Sequence, residues 1–316
     1  MEQKVIDLIK KYHRIVIITH QKPDGDGLGS SLALFYALEK LNKKIKLVCK
    51  DKIPSNFLSL SGIENFKKNF LMGDADLLIT VDCGSIRRTG FSERIKKYIS
   101  DGKKIINIDH HNSSDLMKLS ALNLVDNSVA ACSQIVFHLI QKLDIEIDKT
   151  VATSLMAGLY YDTGGFKHKN TDMHALNFAS TLMSFGANKK DFTILSKHKI
   201  NSLKLWGYAL NKIEINDNGL AKVVITKKEM KNLNADEDNI LGFANMIASM
   251  DQVKIAFIVW ETDVGIRGML RTKHKNINVS NLASYLGGGG LKSFAGFSMK
   301  CKLKNESSEW KVVDYC

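Results

Sequence analysis

The chain has no uninterrupted run of about 18 apolar residues, so nothing in its 316 residues is expected to span a membrane. It also lacks any CxxC pair. Its five cysteines, Cys49, Cys83, Cys132, Cys301 and Cys316, are odd in number and scattered, so neither a disulfide framework nor a zinc finger is indicated, and they read as reduced thiols, mostly core. Proline is scarce, with only Pro23 and Pro54, and no repeat or low-complexity stretch is present. The first apolar run is not followed by GxGxxG, so a dinucleotide-cofactor enzyme is excluded. The N-terminal MEQKVIDLIKKYHR reads as a short amphipathic helix rather than a signal peptide, because charges divide its apolar residues and no small-residue cleavage site follows. A cytoplasmic location is expected.

What is present fits one or two globular domains, with 44% hydrophobic residues. The net charge of +12 suits anionic partners, but lysine is spread along the whole chain, which favours a solvated basic surface over a dedicated nucleic-acid stripe. Apolar runs at 14–18, 44–48, 76–81 and 104–108 alternate with helical patterns at 30–41, 91–100 and 133–143, which implies βαβ units and a parallel sheet flanked by helices. Helical patterns follow at 150–161 and 172–186, the second closed by Gly186. After a helix and connector at 191–210, strand patterns at 211–216, 220–226, 253–261 and 264–272 indicate a smaller α+β domain with a mixed sheet. The expected division is 1–190, a linker at 191–204, and 205–316.

Polar groups gather at the strand ends. VIITHQKPDGDGLGS supplies His20, Asp24 and Asp26, TVDCGS supplies Asp82, and INIDHHNSS supplies Asp109, His110 and His111. Parallel strands share an orientation, so all of these emerge on one edge of the sheet, where open α/β folds bind ligands. Asp162, at the end of the helix in GLYYDTGG, can add one more oxygen. Any one strand-terminal aspartate is more often a helix cap, and His13, His138, His174 and His198 read as surface or helix-face residues. Adjacent histidines after a buried strand benefit neither helix nor sheet. Carboxylates this close raise one another's pKa, and divalent cations remove the conflict. Oxygen and nitrogen donors without thiolate suit manganese, with magnesium, cobalt or iron as alternatives, better than structural zinc.

HQKPDGDG, TVDCGS, IDHHN and GLYYDTGGF, in this order and spacing, resemble the four motifs of the DHH phosphoesterase superfamily, and GGGGLKSFAGF at 287–297 is similar to the substrate motif of its DHHA1 domain. The compact bacterial members act on short oligoribonucleotides, on 3′-phosphoadenosine 5′-phosphate, or on cyclic di-AMP and its linear product. The resemblance implies an N-terminal DHH domain, a C-terminal DHHA1 domain and two Mn²⁺. His20, Asp24 and Asp82 would hold one metal, and Asp26, Asp82, His110 and Asp162 the other, with Asp82 bridging. His111 would contact the scissile phosphate and Asp109 would orient the histidines. Two metals activate water and stabilise both oxygens of an in-line displacement.

In the second domain Gly287, Gly288, Gly289 and Gly290 would let backbone N–H groups approach phosphate, and Arg271 would pair with phosphate or stack on a base. Family members of this type carry His directly after the glycines. Here Leu291 stands instead, with Lys292 as the replacement contact. The resemblance implies a small nucleotide or short RNA as partner and a homodimer as the candidate assembly. A pyrophosphatase or exopolyphosphatase with the same metal core is the alternative enzyme, and a nonhydrolytic nucleotide or RNA binder the alternative of another class.

Overall fold

The computed structural model describes residues 2–111, 115–193, 200–240, 242–306 and 309–314. It divides into two compact units, Met1–Lys197 and His198–Cys316.

The first unit is built on strands β1 (Arg14–Thr19), β2 (Lys44–Val48), β3 (Leu77–Val81), β4 (Lys104–Asp109) and β5 (Leu122–Val125). They form one parallel sheet in the order β2-β1-β3-β4-β5. Its central strands are rich in isoleucine and valine because both faces are covered. Strand alternation splits the core: Ile15 and Ile17 face α1 (Glu2–Lys11), α2 (Gly25–Glu39) and several later helices, while Val16 and Ile18 face α3 (Ser92–Ser100) and α4 (Asp115–Leu119). The first face is completed by α5 (Cys132–Lys142), α6 (Lys149–Asp162), α7 (Met173–Ser184) and α8 (Lys189–Thr193).

Two features differ from the sequence expectation. The strand β5 was not anticipated, because LNLV is short and only Leu124 is buried. The helix α2 begins at Gly25, well before Ser30, so the DGDG segment is a cap and a first helical turn rather than an open loop. Glycine is tolerated in this helix because the backbones come close: a Cβ on Gly29 would lie 2.4 Å from the Ser154 carbonyl oxygen of α6.

The second unit holds α9 (Ile200–Leu210), β6 (Glu214–Ile215), β7 (Leu220–Ile225), α10 (Lys227–Asn232), α11 (Phe243–Ile247), β8 (Ile255–Thr262), β9 (Gly265–Arg271), α12 (Val279–Tyr285), β10 (Gly289–Leu291) and β11 (Phe294–Met299). Its six-stranded sheet runs β10-β11-β9-β8-β7-β6, and only the β7–β8 pair is parallel. Leu205, Trp206 and Phe243 pack on one face, and Val279 and Ala283 belong to the cluster on the other. Strands β12 (Cys301–Glu306) and β13 (Glu309–Asp314) pair antiparallel as a two-stranded sheet. Of the stretch expected as linker, 191–193 close α8, 200–204 open α9, and 194–199 lie outside the described residues, as do His198, Asn112 and Cys316. Cys49, Cys83 and Cys132 are free thiols, and all three are buried, as is Cys301. Among the described residues no helix is long and apolar enough to cross a membrane.

Candidate functional site

At the C-terminal edge of the first sheet, β1 delivers His20, which is buried. Its Nδ1 lies 2.8 Å from the Gln21 carbonyl oxygen. A carbonyl only accepts, so Nδ1 carries the proton and Nε2 is left as a lone-pair donor. That Nε2 has no hydrogen-bond partner and lies 3.5 Å from Asp24 Oδ1 and 3.7 Å from Asp82 Oδ2. Gly27 makes room for the ring, since a Cβ there would sit 3.0 Å from Nε2.

Asp24 caps α2, its Oδ1 accepting from the Asp26 and Gly27 amides at 3.1 Å each. Asp26 lies in the first turn of α2 and is fully buried. Ala131 cannot cap α5 with a side chain, and Asp26 does so from another helix: Oδ1 accepts from the Ser133 amide at 3.1 Å, and Oδ2 accepts from the Cys132 amide. Ser30 Oγ donates to the same Oδ1 at 2.9 Å. These bonds fix one orientation of the carboxylate.

Asp82 follows β3 in the left-handed conformation at φ 56°, which costs a non-glycine residue on the order of 1–2 kcal/mol. This turn points the side chain inward, where it is 2% exposed. One oxygen faces His20; the other, Oδ1, has no hydrogen-bond partner and lies 3.6 Å from His110 Nε2. His110 Nε2 is also 3.3 Å from Asp162 Oδ2 at the end of α6. Asp109 is a clamp, with Oδ2 accepting from the Gly84 amide at 2.7 Å and Oδ1 accepting from His111 Nδ1 at 2.6 Å. It therefore orients His111.

Three groups of donor atoms lie within 4.8 Å of one another: His20, Asp24 and Asp82; Asp26, His110 and Asp162; and Asp82, His110 and His111. Asp82 links the first and third, and His110 the second and third. The donor set is oxygen and nitrogen alone, since Cys83 Sγ faces the Ile18 and Val81 carbonyls and Cys132 Sγ faces that of Ile108. Two buried, unpartnered lone-pair atoms aimed into a nest of carboxylates fit divalent cations.

The electrostatics agree. Burial pushes the Asp82 carboxyl well above its ordinary range, and Asp26, Asp24, Asp162 and Asp109 add repulsion. Asp162 is raised in the same way by burial, then by Asp26 and Asp24. Burial also raises Asp26 against the opposing His110, with Asp24 adding to the rise. For Asp24 and Asp109 burial is outweighed, chiefly by His20 and His111 respectively, and both carboxyls are lowered.

Sequence reasoning missed Arg88. Its Nη1 lies 3.5 Å from His111 Nε2, and its charge contributes to the lowering of Asp24 and offsets part of the rise of Asp162. The RRT turn after the TVDCGS segment was the available signal, but an arginine in a turn reads as surface.

In the second unit the glycine run is not a free loop. Gly289 and Gly290 belong to β10 and pair with Gly296 and Ala295, and Leu291 pairs with Phe294. A Cβ on Gly288 would stand 2.1 Å from the Gly296 carbonyl oxygen and one on Gly290 2.5 Å from that of Phe294. The glycines permit the two strands to crowd; Gly287 precedes β10, exposed, with φ 73°. Lys292 is exposed at the tip of this hairpin. Arg271, half-buried at the end of β9, stacks over Phe294 at 5.4 Å.

Comparison with known proteins matches residues 14–159 to the DHH family N-terminal domain and residues 216–309 to the DHHA1 domain. The chain is 28% identical over 300 residues to the bifunctional oligoribonuclease and PAP phosphatase NrnA of Mycoplasma genitalium, covering 93% of this chain and 91% of that protein. It is 28% identical over 289 residues to the protein of the same name from Thermus thermophilus, covering 90% and 84%. A crystal structure of an exopolyphosphatase-related protein from Bacteroides fragilis superposes with a TM-score of 0.86 at 23% identity over 95% of this chain and 91% of that one, which establishes a shared fold.

Proposed function

Because the chain is a DHH-family protein carrying a DHHA1 domain, we propose that it is a manganese-dependent phosphoesterase of small nucleotides. Its substrates are short oligoribonucleotides, 3′-phosphoadenosine 5′-phosphate, and linear or cyclic dinucleotides such as pApA and cyclic di-AMP. The single observation that carries the reading is the pair of orphaned buried atoms, His20 Nε2, which faces Asp24 and Asp82 Oδ2, and Asp82 Oδ1, which faces His110 Nε2. In this reading His20, Asp24 and Asp82 hold one cation and Asp26, Asp82, His110 and Asp162 the other. Bound there, the cations supply an activated water and neutralise charge on the phosphoryl group. His111, its Nδ1 proton donated to Asp109, presents Nε2 beside the Arg88 guanidinium, which donates to a phosphoryl oxygen placed there, as His111 Nε2 also does when it carries a second proton. Arg271, the glycine hairpin and Lys292 grip the nucleotide. The names of the Mycoplasma and Thermus relatives favour short RNA and 3′-phosphoadenosine 5′-phosphate among these substrates.

The test is a manganese-supplemented assay of purified protein on pApA, cyclic di-AMP, short RNA, 3′-phosphoadenosine 5′-phosphate and pyrophosphate. Turnover of the nucleotides is expected. Turnover of pyrophosphate alone would make the protein a pyrophosphatase, and binding without turnover would make it a nonhydrolytic binder.

A further inference from the structure

Beside the acid and histidine cluster, and outside it, the first unit has a cavity of about 640 Å³ lined by Gln21, Lys50, Lys68, Arg87, Phe91 and Arg94 among others. That volume lies within the roughly 300–1,000 Å³ of small-ligand sites. Its charge is one-sided. Lys50, Lys68, Arg87 and Arg94 form no ion pair with a carboxylate among the described residues, and the lining acid, Glu93, is engaged by Lys96 at 2.9 Å. Arg94 is held in place by donating to Asn69 Oδ1 and the Phe70 carbonyl, with its guanidinium 5.0 Å above the Phe70 ring and 5.3 Å above that of Phe91. Lys50 donates to the Gly90 carbonyl at 2.8 Å. Cations gathered without a counter-charge repel one another until an anion arrives.

The cavity adjoins the reacting groups. Gln21 follows His20 in the chain, and its amide donates to the Arg88 carbonyl at 2.6 Å. The adjacent arginines serve two places, Arg88 reaching His111 and Arg87 lining the cavity. We propose that this cavity is a second phosphate site, which takes a phosphate of the nucleotide substrate other than the one being hydrolysed, such as the terminal phosphate of pApA. Two guanidiniums and two ammoniums suit a phosphate dianion, which they meet by charge-assisted hydrogen bonds. The inference rests on the function proposed above.

The double variant Lys50→Ala/Arg87→Ala tests it, since both side chains are exposed and neither belongs to the acid cluster. With manganese, the KM for pApA is expected to rise about tenfold or more with kcat little changed, while ApA, which lacks the terminal phosphate, and bis-p-nitrophenyl phosphate are unaffected. The charge-keeping variant Lys50→Arg/Arg87→Lys should restore most of the affinity for pApA. An unchanged KM for pApA, or an equal rise for ApA, overturns the proposal. Calorimetric titration of the EDTA-treated full chain separates the two readings. If wild-type protein hydrolyses none of these compounds but binds pApA about tenfold more tightly than the double variant does, the phosphate site stands and the phosphoesterase falls. If wild-type protein binds pApA no more tightly than ApA, the site falls even where both are hydrolysed. Inorganic phosphate that binds as tightly as pApA makes this a free-phosphate site and overturns the assignment to substrate.

Discussion

The two units present their functional groups in opposite ways. In the first, His20, Asp26, Asp82 and Asp109 are all at most 2% exposed, with Asp26 held by amides of α5 and Asp109 by an amide of the turn after β3. In the second, Leu291 is 72% exposed, Lys292 beside it is exposed, and Arg271 rests on the Phe294 ring. Buried groups tied to several elements set the geometry of a reacting centre, where small displacements are costly. Exposed groups on a hairpin contribute contact area and charge, and are tolerant of position. Substitutions among the buried acids and histidines of the first unit should therefore act on kcat and metal affinity, and those on the hairpin of the second on KM.

The largest effect is expected at Asp82. Replacing it with Ala removes the carboxylate that faces both His20 and His110, and activity should fall by at least about 10³-fold. The manganese-induced rise in melting temperature should vanish with it. Asp82→Asn offers a second reading through stability. In metal-free protein the folded-state values of Asp82 and Asp162 lie above the ordinary 3.8, so the unfolded chain ionises first. These groups destabilise the fold as pH rises above that value, and the penalty is relieved as pH falls back toward it. Asp24 and Asp109 have the opposite sign, contributing stability above 3.8 that is lost as pH falls through their lowered values. EDTA-treated Asp82→Asn should consequently melt higher than wild type at neutral pH, with the gain shrinking toward pH 3.8. A lower melting point at neutral pH would show that the carboxylate is stabilising even without metal.

Next in size are the paired histidines. His111→Ala should leave both metals bound and lower kcat on the order of 10²–10³-fold, whereas His110→Ala should empty one metal position, as read by elemental analysis. Loss of metal in both variants would mean that the third donor group, containing both histidines, is the occupied one. Gly158→Ala sharpens the same point from outside the cluster. A Cβ there would lie 2.5 Å from Asp26 Oδ1, so metal affinity should drop about 10–100-fold although no ligand is altered. Wild-type affinity in this variant would show that the acid site tolerates displacement.

The contrast between the units also governs what the sequence could reveal. Strands that end in His20, Asp82 and Asp109 are legible because parallel topology sends every strand end to one edge, and the acids there have little structural use. The role of Asp26 as cap of α5 was hidden, since it joins residues 26 and 132 through packing that periodicity does not encode. Likewise β5 was lost because a four-residue edge strand carries almost no pattern. The glycine run read as backbone that comes close to phosphate, and the structure has Gly289 and Gly290 as strand residues. Glycine's lack of a side chain says that something comes close, and the sequence did not say that it was the neighbouring strand.

In the second unit, Arg271→Ala should raise the KM for pApA about tenfold and leave the hydrolysis of bis-p-nitrophenyl phosphate within about twofold of wild type, because the small ester needs only the acid site. Equal losses on both substrates would place Arg271 among the groups that support the fold, through its contact with Phe294.

The smallest effect, and the most particular to this chain, concerns Leu291. An apolar side chain 72% exposed contributes little to the core, so Leu291→His should change stability by less than about 0.5 kcal/mol. A histidine at this position adds a charge-assisted hydrogen bond to phosphate, worth about 1.5–3 kcal/mol when no other group already makes it. Lys292, the next residue and exposed at the hairpin tip, is the candidate for making it here. The two variants Leu291→His and Lys292→Ala should consequently move the KM for pApA in opposite directions, tighter in the first and weaker in the second. If Lys292 already supplies the contact in full, Leu291→His will change little alone but will recover binding in the Lys292→Ala background. An RNA of about two dozen nucleotides completes the comparison, since a grip formed by one short hairpin favours the end of a small substrate over a long strand. Equal rates on pApA and the long RNA would mean that the exposed unit tracks a backbone, and that contact area rather than hairpin charge selects the substrate.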